Sequence, residues 1–171
     1  IKDSTMVSCF GSCDGEATVS VTGSTQPYTY DWLNSLNQAI GDTDTTGNNL
    51  CAGIYRVIVQ SNANCFRSVP VEITEPDLLI ATFTDTINIL CNADSNGSIT
   101  ASVSGGTLPY TYAWLDTTGI TIIDSDPILD SVPAGIYCIL VTDSMGCTDS
   151  VCFVVTEPDL LSIDISSTTQ T

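Results

Sequence analysis

The chain contains an internal repeat of 82 residues, and this feature limits its possible folds more than any other. Shifting the 171-residue sequence by 82 positions aligns residues 1–79 with residues 83–161 without a gap, and 31 of the 79 pairs are identical, about 39%. We therefore predict two copies of one domain, at residues 1–76 and 77–158, followed by a C-terminal strand or tail at 159–171. The main shared blocks are Pro-Tyr-Thr-Tyr at 27–30 and 109–112, Ala-Gly-Ile-Tyr at 52–55 and 134–137, and Thr-Glu-Pro-Asp-Leu-Leu at 74–79 and 156–161.

Each copy has the pattern of an antiparallel β-sandwich. Apolar and polar residues alternate over residues 16–22, and Tyr28, Tyr30 and Trp32 share one face of the next predicted strand. Turn-forming Gly, Asn, Asp, Ser and Pro clusters separate these runs, at the spacing of a small sandwich. The predicted fold class is all-β, with two tandem immunoglobulin-like antiparallel sandwiches. The aromatic face is expected to be core, and a ligand platform is the alternative.

The charge of the chain excludes several classes of function. Three basic residues against 20 acidic ones give a formal charge of −17, and there is no histidine. Such a chain repels phosphate backbones and anionic lipids, so we expect no nucleic-acid partner and no membrane insertion. The missing histidine removes Ser-His-Asp and Cys-His catalytic pairs and the usual general base. We expect no enzymatic activity.

The eight cysteines are predicted to form four disulfides. Equivalent cysteines in a repeat should have equivalent partners, which favours Cys9–Cys65 and Cys91–Cys147. The other four cysteines each occur in only one copy, and they are predicted to pair within that copy as Cys13–Cys51 and Cys138–Cys152. Each disulfide contributes ~2–4 kcal/mol to a small domain and indicates an oxidising, extracellular setting. A thiolate metal half-site at Cys9-x-x-x-Cys13 is the alternative, but the second copy has Ser95 where the first has Cys13.

The Cys138–Cys152 pair also has a geometric argument. If the segments on either side of the turn at 143–146 form a hairpin, residues whose numbers sum to about 290 face one another. Cys138 and Cys152 meet this condition, and both lie out of phase with the apolar residues Tyr137 and Ile139. Opposed cysteines of this kind can form a bridge.

The order of these motifs resembles the SprB-type repeat of Bacteroidota surface adhesins and gliding-motility proteins. The resemblance rests on the Cys, Asp-Gly, Pro-Tyr-Thr-Tyr-x-Trp, Leu-Cys-Ala-Gly-x-Tyr, Cys and Thr-Glu-Pro elements, and it covers both copies almost end to end. It implies immunoglobulin-like modules, a location outside the cell at the cell surface, and a structural or adhesive role without catalysis. It transfers no active-site residues.

Asp-Ser/Thr followed by Ala, Ile, Leu, Val, Met or Thr, a pattern of O-glycosylation in secreted proteins of Bacteroidota, occurs more often than chance predicts. Ordinary turn chemistry is the alternative for some of these sites. The predicted glycosylated residues are Ser4, Thr45, Thr86, Thr117, Ser131, Ser144 and Ser150.

Acidic clusters suggest at most a weak cation site. Asn92, Asp94 and Asn96 resemble the first half of a calcium loop, but position 12 of that loop is Val103 rather than Glu. Two Asp pairs, at 42/44 and 124/126, recur in both copies and are better explained as solvated loop acids. We expect no cofactor and no bound metal, apart from covalent glycans, and we do not favour calcium.

The C-terminal tail predicts self-association. Residues 159–171 repeat the start of a third copy, and Leu161, Ile163 and Ile165 alternate with polar residues, as in an unpaired edge strand. The first copy lacks the leading part of the strand at 78–89. We therefore expect the tail of one subunit to complete the first domain of the next, which propagates head-to-tail into an extracellular filament or adhesin stalk. The alternatives are a carbohydrate-binding adhesin module that takes surface glycans, or a slice of a giant covalent repeat array.

Overall fold

The computed structural model describes residues 3–115 and 122–164, and within these ranges the protein contains strands and no helix. The all-β prediction is therefore confirmed. The chain divides into two compact units, and the first consists of Ile1–Leu79 together with the loops Gly105–Pro109 and Asp143–Cys147. The second unit contains the remainder of the second repeat.

The first repeat forms two antiparallel three-stranded sheets. One sheet has the order β1-β2-β4 and the other has the order β3-β5-β6. The six strands are β1 (Asp3–Thr5), β2 (Gly15–Thr18), β3 (Tyr28–Leu33), β4 (Thr46–Leu50), β5 (Gly53–Ser61) and β6 (Phe66–Ile73).

The second repeat forms one sheet with the order β11-β8-β7 and another with the order β10-β9-β12-β13. It has the same plan as the first repeat plus the short strand β10. The strands are β7 (Ile80–Ile87), β8 (Gly97–Ser104), β9 (Thr111–Leu115), β10 (Ile122–Asp124), β11 (Ile128–Val132), β12 (Gly135–Thr142) and β13 (Thr148–Val155).

The core of each repeat is built around one tryptophan. Trp32 and Trp114 are both 0% exposed, and each donates its indole N–H to a backbone carbonyl, of Asp44 and Asp126 respectively. Burying a tryptophan requires such a partner for its N–H. Trp32 is therefore core, as the alternation predicts, whereas Tyr28 and Tyr30 of the same face are only partly buried. Neither indole is available to stack on a sugar.

Both repeats also contain the tyrosine corner of immunoglobulin-like domains. The Tyr55 hydroxyl donates to the Cys51 carbonyl at 3.0 Å, and the Tyr137 hydroxyl donates to the Pro133 carbonyl at 3.0 Å. Each bond ties the start of a strand to the backbone four residues upstream. Together with the buried tryptophan, this corner confirms the immunoglobulin-like prediction.

One predicted strand is shorter than its sequence pattern. The alternation predicts a strand over 16–22, but β2 ends at Thr18, whereas its counterpart β8 continues to Ser104. The reason is the neighbouring strand. β7 pairs with β8 as far as Ile80–Ser104, while β1 pairs with β2 only as far as Asp3–Thr18. Alternation alone does not make a strand where no partner supplies hydrogen bonds.

In the described part of the chain, no helix has the length and apolar character that crossing a membrane requires.

We predict that Tyr55→Phe and Tyr137→Phe each lower the free energy of unfolding by ~0.5–1.5 kcal/mol, because each removes one hydrogen bond between the tyrosine hydroxyl and a backbone carbonyl. Urea unfolding followed by tryptophan fluorescence measures the change. Tyr30→Phe is the matched control, since the described residues offer its hydroxyl no hydrogen bond. Equal losses in all three variants would contradict a special role for the corner.

Candidate self-association site

The structure contains three disulfides. Cys138 and Cys152 face one another across the β12–β13 hairpin, in the register that the sequence predicts, with their Cα atoms 4.0 Å apart. Cys13 is bonded to Cys51, with a Cα separation of 3.8 Å. Both bridges close loops within a single repeat.

The third disulfide corrects the sequence-based pairing. Cys9 is bonded to Cys147, and not to Cys65, with a Cα separation of 5.8 Å. The predicted Cys91–Cys147 bridge is likewise absent, and Cys65 and Cys91 are both exposed thiols. The bridge joins the first loop of one sequence repeat to the last hairpin of the other, and both cysteines lie in the first unit.

Strand direction explains the correction. Two bonds hold the Cys9 loop at the end of β6: Val7 N to Thr74 O at 3.0 Å, and Gly11 N to Glu75 Oε2 at 2.8 Å. Cys65 immediately precedes the start of β6. The eight residues of this strand span about 26 Å, so the two cysteines lie at opposite ends of their repeat.

The second repeat has the same arrangement. Ile89 N bonds Thr156 O at 3.0 Å and Ala93 N bonds Glu157 Oε2 at 2.7 Å, so the Cys91 loop lies at the end of β13. Cys147 lies just before the start of β13, at the other end. We call Cys9 and Cys91 the loop cysteines, and Cys65 and Cys147 the hairpin cysteines. Each repeat therefore carries a loop cysteine at one end and a hairpin cysteine at the other.

Near the Cys9–Cys147 bridge, the segment 77–79 packs against the glycine turn at 105–106. Asp77 O accepts a bond from Gly106 N at 2.8 Å. A Cβ on Gly105 would overlap the carbonyl of Leu78, so only glycine permits this approach. Leu79 is 6% exposed, whereas Leu78 is 52% exposed. Leu79 is thus the apolar anchor of this segment.

Asp143 fixes the hairpin that carries Cys147. Its carboxylate accepts bonds from the backbone N–H groups of Thr107 at 2.8 Å, Met145 at 2.9 Å and Cys147 at 2.9 Å. Burial alone would raise the pKa of Asp143, but these backbone bonds outweigh it and hold the pKa below the ordinary value. The ionised carboxylate therefore stabilises the loop pair against which residues 77–79 pack.

The counterpart of this surface in the first repeat is uncovered. Residues 19–22, which we call the open edge, correspond to 101–104 of β8, yet no strand in the described part of the chain pairs with their β1 side. Gly23 is the counterpart of Gly105, and a Cβ there would meet no atom within 4 Å. A pocket of about 270 Å³ adjoins this glycine, and we call it the end pocket. Its lining includes Val21, Gly23, Ser24, Cys65, Phe66 and Arg67.

The C-terminal tail is the counterpart of the segment that covers this surface in the second repeat. Leu161, which corresponds to Leu79, is 88% exposed, and Ile163 is 85% exposed. Ile165, the third predicted contact residue, lies outside the described residues. Residues 159–164 lie in no strand of the structure. The tail thus presents apolar side chains to solvent, and in the lining of the end pocket Phe66 is also 74% exposed.

Six predicted glycosylation residues lie in the described ranges, and all six are exposed: Ser4, Thr45, Thr86, Ser131, Ser144 and Ser150. Thr117 lies outside the described residues. A sugar can therefore reach each of the six hydroxyls without unfolding the repeat.

The acidic pairs serve as caps of their own loops. Asp44 Oδ1 accepts the Thr46 N–H at 2.8 Å, and Asp124 Oδ1 accepts the Asp126 N–H at 3.0 Å. Among the described residues, no three His, Cys, Asp or Glu side chains form a group that could hold a metal ion.

The sequence did not reveal the end pocket or the true partner of Cys9. One signal in the sequence does bear on the partner of Cys9. The Thr-Glu-Pro block follows the last strand of each copy, and the hairpin cysteine precedes that strand. A strand of eight residues separates these positions, so a loop cysteine held at the block could not have reached the hairpin cysteine of its own copy.

We predict that Asp143→Ala lowers the free energy of unfolding at pH 7 by ~1–3 kcal/mol, because three backbone N–H groups in partly buried bonds lose their acceptor. The pKa of Asp143 is lowered in the folded state, so the stabilisation is present above the ordinary Asp pKa of about 3.9 and is lost as the pH falls through the folded pKa. The difference in the free energy of unfolding between Asp143→Ala and wild type should therefore shrink as the pH falls through this range. Urea titrations across this pH range measure it, with the exposed Asp85→Ala as control. A difference that grows on acidification would contradict the assignment.

Comparison with solved structures identifies similar folds. The three N-terminal domains of the Highly Immunogenic Outer Capsid protein of bacteriophage RB49 match with a TM-score of 0.60 and 20% identity, over 89% of this chain and 56% of that one. The chain thus spans about half the length of this relative. The amphioxus IgVJ-C2 molecule matches with a TM-score of 0.42 and 12% identity, over 85% and 97% of the two chains. The first eight Ig domains of Down Syndrome Cell Adhesion Molecule match with a TM-score of 0.38 and 18% identity, over 77% and 22%.

A search of curated proteins finds no match. The family comparison does find one: the SprB repeat matches residues 2–37 and residues 84–119. The two segments start 82 residues apart (84 − 2), which is the period of the internal repeat. The resemblance inferred from the motifs is therefore confirmed, and the chain carries two segments that match the SprB repeat.

Proposed function

We propose that this chain is a structural subunit of an extracellular filament or adhesin stalk, in which subunits join head-to-tail by strand addition. One observation carries the proposal. Within the described part of the chain, no segment covers the open edge and end pocket of the first repeat. In the second repeat β7 pairs with the same edge and residues 77–79 cover the glycine turn, and the Thr-Glu-Pro-Asp-Leu-Leu block that leads into β7 recurs at the base of the exposed tail. The tail of one copy therefore matches the vacant surface of another.

The second repeat supplies the register of the joint. There Ile80 lies opposite Ser104, Ala81 opposite Val103 and Thr82 opposite Ser102. Subtracting 82 from the edge positions and adding 82 to the strand positions places Ser162, Ile163 and Asp164 opposite Thr22, Val21 and Ser20 of the next copy. Main-chain hydrogen bonds then extend β2 beyond Thr18. The Leu160 carbonyl lies beside Gly23 and the Leu161 side chain beside Ser24, as the Leu78 carbonyl and the Leu79 side chain lie beside Gly105 and Gly106. Such a joint adds a strand to an exposed sheet edge.

The acceptor surface differs from its template in ways that suit the tail. In the second repeat the backbone N–H of Ala81 donates to the Asp149 carboxylate at 2.7 Å. The tail has the larger Ile163 at the position of Ala81, and the first repeat has Arg67 at the position of Asp149. Phe66, which is 74% exposed, replaces Thr148 and offers apolar surface to Ile163. Arg67 is one of only three basic residues of the chain, and the tail carries Asp159 and Asp164. The charges of tail and pocket are complementary.

The contact is heterologous, because an edge of one copy receives the tail of another. A heterologous contact that does not close on itself produces a filament. SprB repeats and immunoglobulin-like adhesion domains are structural modules without catalytic activity, which agrees with a mechanical role. The intact mass of native material distinguishes a discrete subunit from a slice of a covalent array.

A carbohydrate-binding module is the weaker proposal. Its candidate aromatic residues were Trp32 and Trp114, and both are fully buried. We propose instead that glycans are attached to the chain, and that sugars and the negative charge keep a long surface fibre hydrated. Three disulfides and the SprB matches support an extracellular location.

We predict that Leu161→Asp weakens association of purified chains at least about tenfold, because burial of a leucine is worth ~1.5–3 kcal/mol. Leu160→Asp is the matched control within the tail. Its counterpart Leu78 remains 52% exposed where the segment is packed, whereas the counterpart of Leu161 is 6% exposed. Analytical ultracentrifugation and negative-stain microscopy measure assembly. If the two variants lose assembly equally, or neither loses it, the register of the joint is wrong.

We also predict glycan-sized mass increments on native protein, at one or more of the six exposed hydroxyls at Asp-Ser/Thr sites. Peptide mapping by mass spectrometry under electron-based fragmentation locates each increment. Substituting Ser4 and Thr86 by Ala should remove the increments at these equivalent positions and change the free energy of unfolding of the bare chain by no more than about 0.5 kcal/mol. Native chains of the bare sequence mass would overturn the glycan proposal.

A further inference from the structure

Cys65 and Cys91 are two exposed thiols in a chain whose other six cysteines are all bonded. Cys65 is the hairpin cysteine of the first repeat, and Cys91 is the loop cysteine of the second. The bridge that the structure does form, Cys9–Cys147, joins the other loop cysteine to the other hairpin cysteine. Cys65 and Cys91 are therefore the one hairpin cysteine and the one loop cysteine that form no disulfide within the chain.

The two loop cysteines share one pattern of backbone hydrogen bonds, and the two hairpin cysteines share another. At the loops, Ser12 N bonds Cys9 O at 2.9 Å, and Asp94 N bonds Cys91 O at 3.2 Å. At the hairpins, Ser61 N bonds Cys65 O at 2.9 Å, and Asp143 N bonds Cys147 O at 2.9 Å. Cys65 and Cys91 thus present their Sγ atoms from the same backbone framework as the cysteines that are bonded.

The positions of the thiols coincide with the proposed joint. Asn92 Nδ2 donates to Pro158 O at 3.1 Å, and Ala93 N donates to Glu157 Oε2 at 2.7 Å, so the Cys91 loop is anchored to the base of the tail. Cys65 lines the end pocket. When a tail enters the end pocket, it brings the loop cysteine of its own copy to the hairpin cysteine of the next. In the first unit, segment 77–79 and the Cys9–Cys147 bridge have this same relation.

We infer that Cys91 of one copy forms a disulfide with Cys65 of the next copy and so locks the head-to-tail joint covalently. This inference rests on the proposed function, because strand addition brings the thiols together. In the reaction, each thiol loses a proton, and the pair transfers two electrons to an external disulfide such as oxidised glutathione, which leaves as two thiols. One S–S bond forms between the two Sγ atoms for each joint.

The test uses the full chain in a glutathione redox buffer, quenched with an alkylating agent and run on a denaturing gel without reductant. Wild type should give a ladder of covalent multimers, and peptide mapping should find Cys91 linked to Cys65. Cys65→Ser and Cys91→Ser should each give only monomers on this gel. A mixture of the two variants should give a covalent dimer and nothing larger, because only one joint can form between them.

The outcomes separate the inference from the proposed function. Filaments by microscopy in wild type and in both serine variants, with the ladder only in wild type, support both. Filaments in wild type with two alkylated thiols per chain overturn the disulfide and leave strand addition intact. Linkage of Cys65 to Cys65, of Cys91 to Cys91, or of either to Cys9 overturns the inference as well. Chains that remain monomeric by ultracentrifugation overturn both.

Discussion

The pairing of β7 with β8 is the interaction on which the account depends. It completes one sheet of the second repeat and extends β8 to Ser104. Just before β7, Leu79 is buried and the carbonyl of Asp77 bonds the Gly106 N–H. The first repeat has the same sandwich, tryptophan and tyrosine corner, but its β2 ends at Thr18, because no strand among the described residues pairs with the β1 side of residues 19–22. The repeats therefore differ in whether a segment pairs with this edge, and the tail repeats the Asp-Leu-Leu that begins the covering segment of the second repeat.

The polarity of each repeat makes this difference directional. The loop cysteine and the Thr-Glu-Pro block lie at one end of the last strand, and the hairpin cysteine and glycine turn lie at the other. In the first unit, the segment that follows a Thr-Glu-Pro block packs against a glycine turn. If the tail packs in the same way, it leaves one copy at the Thr-Glu-Pro end and meets the next copy at the end with the glycine turn. Identical joints then add up to a filament without any symmetric interface. The strongly acidic surface opposes unspecific aggregation, and the single Arg67 in the end pocket offers the acidic tail a favourable site.

The sequence predicts the fold well because alternation and repetition both report on burial. Trp32 is buried as its face predicts, and the Cys138–Cys152 register follows from counting across one turn. The Cys9 pairing was wrong because equivalence between repeats was assumed to mean pairing within a repeat. The length of β6 excludes that pairing, but the anchor of the Cys9 loop at Glu75 is a tertiary contact that periodicity does not reveal. The end pocket, likewise, depends on an empty space beside Gly23, and a pattern of residues does not predict empty space.

Cryo-electron microscopy of assembled native material tests the central claim most directly. We expect a strand antiparallel to an extended β2, formed by residues 159–164 of a neighbouring copy, with Ile163 opposite Val21 and Leu161 beside Ser24. Density that leaves the edge at residues 19–22 bare within an assembled fibre would contradict it. So would density in which a different surface of the first repeat receives the tail.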